Sequence, residues 1–111
     1  MENIIITKEL LSSVLGIDVM EIDRTTIDSN TLHYIDLKGG TNIHELLYLM
    51  EEWAFEKGYI IQPYKTANKK YYCEVFGKGN YWIDFEDDSK IKVLTKACQW
   101  IYDRVSLKEK H

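Results

Sequence analysis

Apolar residues along this chain alternate between a helical spacing and a strand spacing, and the changeovers coincide with capping and turn residues. Leu10, Leu11, Val14 and Leu15 share one helical face. Thr7 precedes them as an N-cap, Ile6 and Leu11 occupy the two positions of a hydrophobic staple, and Gly16 stands where a helix stops. Residues 17–27 and 31–37 are rich in β-branched side chains and alternate, with Asp28-Ser29-Asn30 as turn chemistry between them. That pattern predicts a hairpin, closed by Gly39-Gly40, with Thr41 or Asn42 capping the next helix.

Residues 42–59 predict the helix around which the fold is arranged. Ile43, Leu46, Leu47, Met50, Trp53 and Ala54 make its core stripe, and Glu45, Glu52 and Glu56 its solvent face. A second line, His44, Tyr48, Glu51 and Phe55, also recurs at helical spacing. A short strand over 59–62 ends at Pro63. Strands over 70–76 and 81–86 follow, joined by a turn at 77–80. Strict alternation directs Tyr71, Cys73, Val75, Tyr81, Ile83 and Phe85 inward, and Tyr72, Glu74, Phe76, Trp82, Asp84 and Glu86 outward. Asp87-Asp88-Ser89 caps a final helix over 90–105, with Ile91, Leu94, Cys98, Ile101, Tyr102 and Val105 as its core stripe. Val93, Ala97, Trp100 and Leu107 lie nearly opposite, and 107–111 reads as a disordered tail.

The expected fold is α+β, a single domain over residues 1–111 in the order α-β-β-α-β-β-β-α. It has one antiparallel sheet of four or five strands packed by helices. With 111 residues, such a domain buries a core without disulfides or metal. The net charge of −4 disfavours nucleic acid, whose binding needs clustered Lys and Arg. Lys65, Lys69, Lys70 and Lys78 are the only candidates for a local basic patch weighed against that balance. No apolar run is long enough to span a bilayer, and the first residues lack a signal-peptide apolar stretch. Two cysteines make no disulfide framework, so a reducing cytoplasmic setting is expected.

Candidate chemistry changes this picture little. His44-Glu45 begins like a zinc-protease helix, but Tyr48 stands where the second His is required. Cys73 and Cys98 with His33 and His44 match no zinc spacing, and both thiols read as core residues. Glu74, Asp84 and Glu86 share a face that serves acid–base chemistry only if it is shielded from water. Gly77-x-Gly79 precedes a strand and so is no phosphate loop, and Gly39-Gly40 before a helix reads first as a plain loop pair, with backbone N–H groups for an anion as the lesser alternative. No catalytic residue, metal ligand or cofactor is assigned.

The surfaces carry more. With three Trp and eight Tyr, the chain is rich in the residues that anchor interfaces. The outward cluster Tyr72, Phe76 and Trp82 is either a binding face or the seat of a covering helix. The second stripe of the last helix, Val93 and Trp100 among it, has the same two readings. In a chain this short the stripe leans towards an interface, and Tyr48, Phe55 and His44 join the candidate binding residues.

The blocks Asn42-Ile43-x-Glu45-Leu46 and Glu52-Trp53-Ala54-Phe55-Glu56-Lys57-Gly58-Tyr59 resemble one signature of a family of small phage and prophage-region proteins. Lys96-Ala97-Cys98-Gln99-Trp100-Ile101 is similar to that family's second block, K-A-C-E/Q-W-I, and the stretch from Thr7 to Leu15 is similar too. The segment 64–88 agrees least. The family carries no established activity, so no catalytic residue transfers. The resemblance implies a phage or mobile-element origin and, by association, a protein that binds and inhibits a host component such as a defence system. Two-sided helices, surplus aromatics and the missing catalytic set make the expected function non-enzymatic, with a protein partner or self-association as a homodimer. The alternative is a small-molecule or nucleotide-binding module, or an enzyme of unrecognised type, with a pocket drawn from His33, His44, Tyr48 and Gly39-Gly40.

Overall fold

The computed structural model describes residues 6–22, 26–28, 31–35 and 39–109. The chain is α+β and divides into two compact units, Met1–Leu49 and Met50–His111. The turn expected at 29–30, the strand end at 36–37 and the side chain of His33 lie outside what is described, as do residues 110–111 of the tail.

In the first unit, helix α1 (Lys8–Leu15) begins where the Thr7 side chain accepts from the Leu10 N–H at 3.2 Å. It ends at Gly16, whose φ of 71° lets its N–H close on the Ser12 carbonyl. Ile6, Leu10, Leu11 and Val14 are buried, as the stripe and the staple require. The alternating stretch that follows is not a strand over its whole length. Asp18 accepts from the Met20 N–H at 2.9 Å and folds Val19–Glu21 into a single 3-10 turn. That turn buries Ile22 and leaves Met20 exposed, so the two residues do not share a face.

Strands β1 (Thr26–Asp28), β2 (Thr31–Ile35) and β3 (Gly39–Asn42) form an antiparallel sheet in that order. The expected hairpin is therefore present, but Gly39-Gly40 belongs to its third strand, opposite Ile35 and His33, and not to a loop. Asn42 caps helix α2 (Ile43–Glu56) by accepting from the His44 N–H at 2.8 Å. Leu46, Leu47, Met50, Trp53 and Ala54 of α2 are buried and Ile43 is half-buried.

In the second unit, β4 (Tyr59–Lys65), β5 (Tyr71–Gly77) and β6 (Asn80–Asp87) make a second three-stranded antiparallel sheet, with β5 in the centre. The strands expected in one sheet of four or five are thus divided between two sheets. Pro63 does not end β4. It sits within this edge strand opposite Cys73, and edge strands are where a sheet tolerates proline. Lys78 and Gly79, with φ of 54° and 77°, form the two-residue turn between β5 and β6.

Helix α3 (Lys90–Glu109) packs across one face of this sheet. Ser89 caps it by accepting from the Lys92 N–H, and the helix runs four residues beyond the expected Val105. Ile91, Val93, Leu94, Ala97, Cys98 and Ile101 are all buried, so both of its apolar stripes are used inside the fold over this length. The Cys98 thiol reaches the Met50 carbonyl at 3.9 Å.

Candidate binding surface

The register of β4, β5 and β6 sorts their side chains into two faces. One carries Tyr59, Ile61, Cys73, Val75 and Gly77, all buried beneath α3. The other carries three rungs: Ile60–Phe76–Tyr81, Gln62–Glu74–Asp84 and Tyr64–Tyr72–Glu86. Helix α3 lies on the other side of the sheet, and this second face is partly exposed. Its outer members Ile60, Tyr64 and Tyr81 are 48%, 44% and 52% exposed, and Tyr72, Glu74 and Phe76 on the central strand are half-buried between their neighbours.

One irregularity decides which aromatics stand here. Val75 pairs with Ile83 but Phe76 pairs with Tyr81, so Trp82 is an extra residue in β6. The bulge turns Trp82 to the α3 side, where its indole N–H donates to the Gly77 carbonyl at 3.0 Å and its ring lies 6.3 Å from Trp100. Tyr81 takes the outward place and meets Phe76 edge-on at 5.9 Å. Of the expected cluster, Tyr72 and Phe76 stand on this face together with Tyr64 and Tyr81, whereas Trp82, still 40% exposed, lies on the α3 side. Tyr64 and Tyr72 stack at 5.6 Å with their planes 13° apart.

The remaining predicted positions scatter. Val93 is fully buried and is no surface residue. Trp100 is half-buried in an aromatic cluster, edge-on to Tyr59 at 5.9 Å. Arg104 lies over both Trp82 and Trp100, at 4.6 and 4.9 Å from the ring centres, and donates from Nε to the Tyr59 hydroxyl. Trp82 and Trp100 thus fasten the last turns of α3 to the sheet. His44, Tyr48 and Phe55 are exposed on α2, the last two at 55% and 68%. The lysines form no single patch: Lys65, Lys69 and Lys70 stand at one end of β5 and Lys78 at the other.

Electrostatically the open face is negative. The hydrogen bond from the Tyr72 phenol to Glu86 holds its pKa above the ordinary value. Lost hydration and then the charges of Glu74 and Asp84 raise that of Tyr64, and lost hydration followed by Asp84 raises that of Tyr81. The buried thiols behave differently. Burial pushes Cys73 up to about 12 and raises Cys98 as well, so neither is a nucleophile near neutral pH. Among the described residues no group of three His, Cys, Asp or Glu side chains is placed to hold a metal ion, and no helix is long and apolar enough to cross a membrane.

No protein-family model, curated protein or solved structure matches this chain.

Proposed function

We propose that this chain is a non-enzymatic protein-binding module that engages its partner through the open face of β4, β5 and β6. The observation that carries this reading is the aromatic surface of Tyr64, Tyr72, Phe76 and Tyr81 with Ile60, whose outer members are about half exposed. A solvated sheet face ordinarily carries polar residues, and one this rich in Tyr and Phe offers large contact area at low entropic cost. The partner is a host component that the module blocks in the cytoplasm, in keeping with the phage-like sequence blocks around α2 and α3.

Affinity capture from host lysate tests this reading. A captured protein is identified and its complex is rebuilt from purified components. Phe76→Ala/Tyr81→Ala abolishes that complex, whereas Phe55→Ser on α2 leaves it intact. A partner held equally well by both variants would place binding elsewhere, and a wild-type chain that captures nothing overturns the reading.

A further inference from the structure

The central rung of the open face sets Glu74 directly opposite Asp84. Neighbouring strands are about 4.8 Å apart, and like charges placed directly across a sheet destabilise it. No lysine or arginine stands among the nine residues of the face to offset the pair. The lysines Lys92 and Lys96 belong to α3, on the other side of the sheet, and pair there with Asp88 and Asp87. The rungs on either side of the carboxylates carry the aromatic pairs Phe76–Tyr81 and Tyr64–Tyr72, each about 7 Å away along the strands.

Resting on the reading of this face as the partner site, we propose that its occupant is a basic segment of the partner protein. One Arg or Lys cation sits between Glu74 and Asp84, and its stem lies against the flanking rings. An exposed carboxylate pair gains from a cation that neutralises both members, and aromatic faces attract the same group. The chain already uses that contact internally, with Arg104 over Trp82 and Trp100. Two copies docked through this face bring the same carboxylates together, so a second copy is the poorer occupant. The acidic field repels nucleic acid in the same way.

The full chain, isotope-labelled, is titrated with a synthetic peptide of alternating Arg and Ala and with its Gln-for-Arg counterpart. The Arg peptide shifts the amides of β5 and β6, and its affinity falls with added salt. Glu74→Gln/Asp84→Asn weakens it by about tenfold or more, because both charge partners are lost. Equal binding of the Gln peptide, equal binding to the double variant, or shifts confined to other elements would overturn the proposal. The captured partner separates the two readings. If its complex survives Glu74→Gln/Asp84→Asn but not Phe76→Ala/Tyr81→Ala, the face is the site and the basic-segment inference alone fails. If neither variant disturbs the complex, the face itself is not the site.

Discussion

The indole N–H of Trp82 donates to the carbonyl of Gly77 at 3.0 Å, beside the turn that joins β5 to β6. Gly77 can lie under that ring because it has no side chain. A Cβ there comes within 2.8 Å of the Tyr59 ring and 3.0 Å of the indole nitrogen. Tyr59 is buried and braced edge-on by Trp100, so it has little room to yield. Gly77→Ala is therefore expected to destabilise the chain. Overpacking costs about 1–3 kcal/mol, only partly offset by the roughly 0.4–1 kcal/mol that Ala contributes through the unfolded state. Urea unfolding measures the difference. An unchanged midpoint would show that the aromatic cluster is looser than its geometry implies.

That same contact marks the limit of what the sequence predicts. The two-residue turn Lys78-Gly79 sets Gly77 opposite Asn80 and Phe76 opposite Tyr81. The alternation of apolar residues sets Val75 with Ile83. The two registers are incompatible unless one residue is extra, and a turn read as four residues long conceals the conflict. The extra residue exchanges Trp82 for Tyr81 on the open face. Helices α1, α2 and α3 were legible because caps and stripes are local signals, satisfied within about ten residues. The 3-10 turn at Val19–Glu21 was hidden by β-branched neighbours, although Asp18 two residues before Met20 is turn chemistry. The division into two sheets depends on which strand edges meet, and alternation carries no such information.

The opposed carboxylates give a prediction independent of any partner. Removing one like charge from the Glu74–Asp84 rung relieves repulsion, so Glu74→Gln is expected to stabilise the free chain by about 0.2–1 kcal/mol. The gain shrinks towards zero at about 1 M salt, where the screening length is about 3 Å. Paired denaturation curves at low and high salt provide the measurement. Destabilisation by Glu74→Gln would mean that the carboxylate is held by favourable contacts and does not await a cation.

Lys96 reaches from α3 to the end of β6, with Nζ 2.9 Å from Asp87 and 3.0 Å from the Glu86 carbonyl. Burial by itself raises the Asp87 pKa, but Lys96 and hydrogen bonds from Asp88 outweigh it, and the net shift is downward from 3.8. A depressed native carboxyl contributes stability above its unfolded pKa, and that stability is lost as the pH falls through the native value. Lys96→Met is therefore expected to cost up to about 1 kcal/mol at neutral pH and progressively less in acid. Stability measured down the acid limb for both proteins tests this. Parallel curves would remove the ion pair as a cause of acid sensitivity.

At the alkaline end the buried thiols contribute. Cys73 and Cys98 are fully buried, and burial is the largest cause of their raised pKa values. In the unfolded chain a cysteine ionises near 9.0, whereas native Cys73 holds its proton to about 12. Between those values the native state binds more protons than the unfolded state. Stability is therefore complete below the unfolded pKa and falls as the pH rises, by roughly 1.4 kcal/mol per pH unit for each thiol. Cys73→Ala/Cys98→Ala should flatten this alkaline slope even though small cavities lower its stability at neutral pH. The same protection predicts that thiol reagents modify the native protein no faster than it opens, and both cysteines react at once in denaturant. Rapid labelling of either residue under native conditions would show that the α3–sheet core admits solvent, contrary to the packing around Cys98 and the Met50 carbonyl.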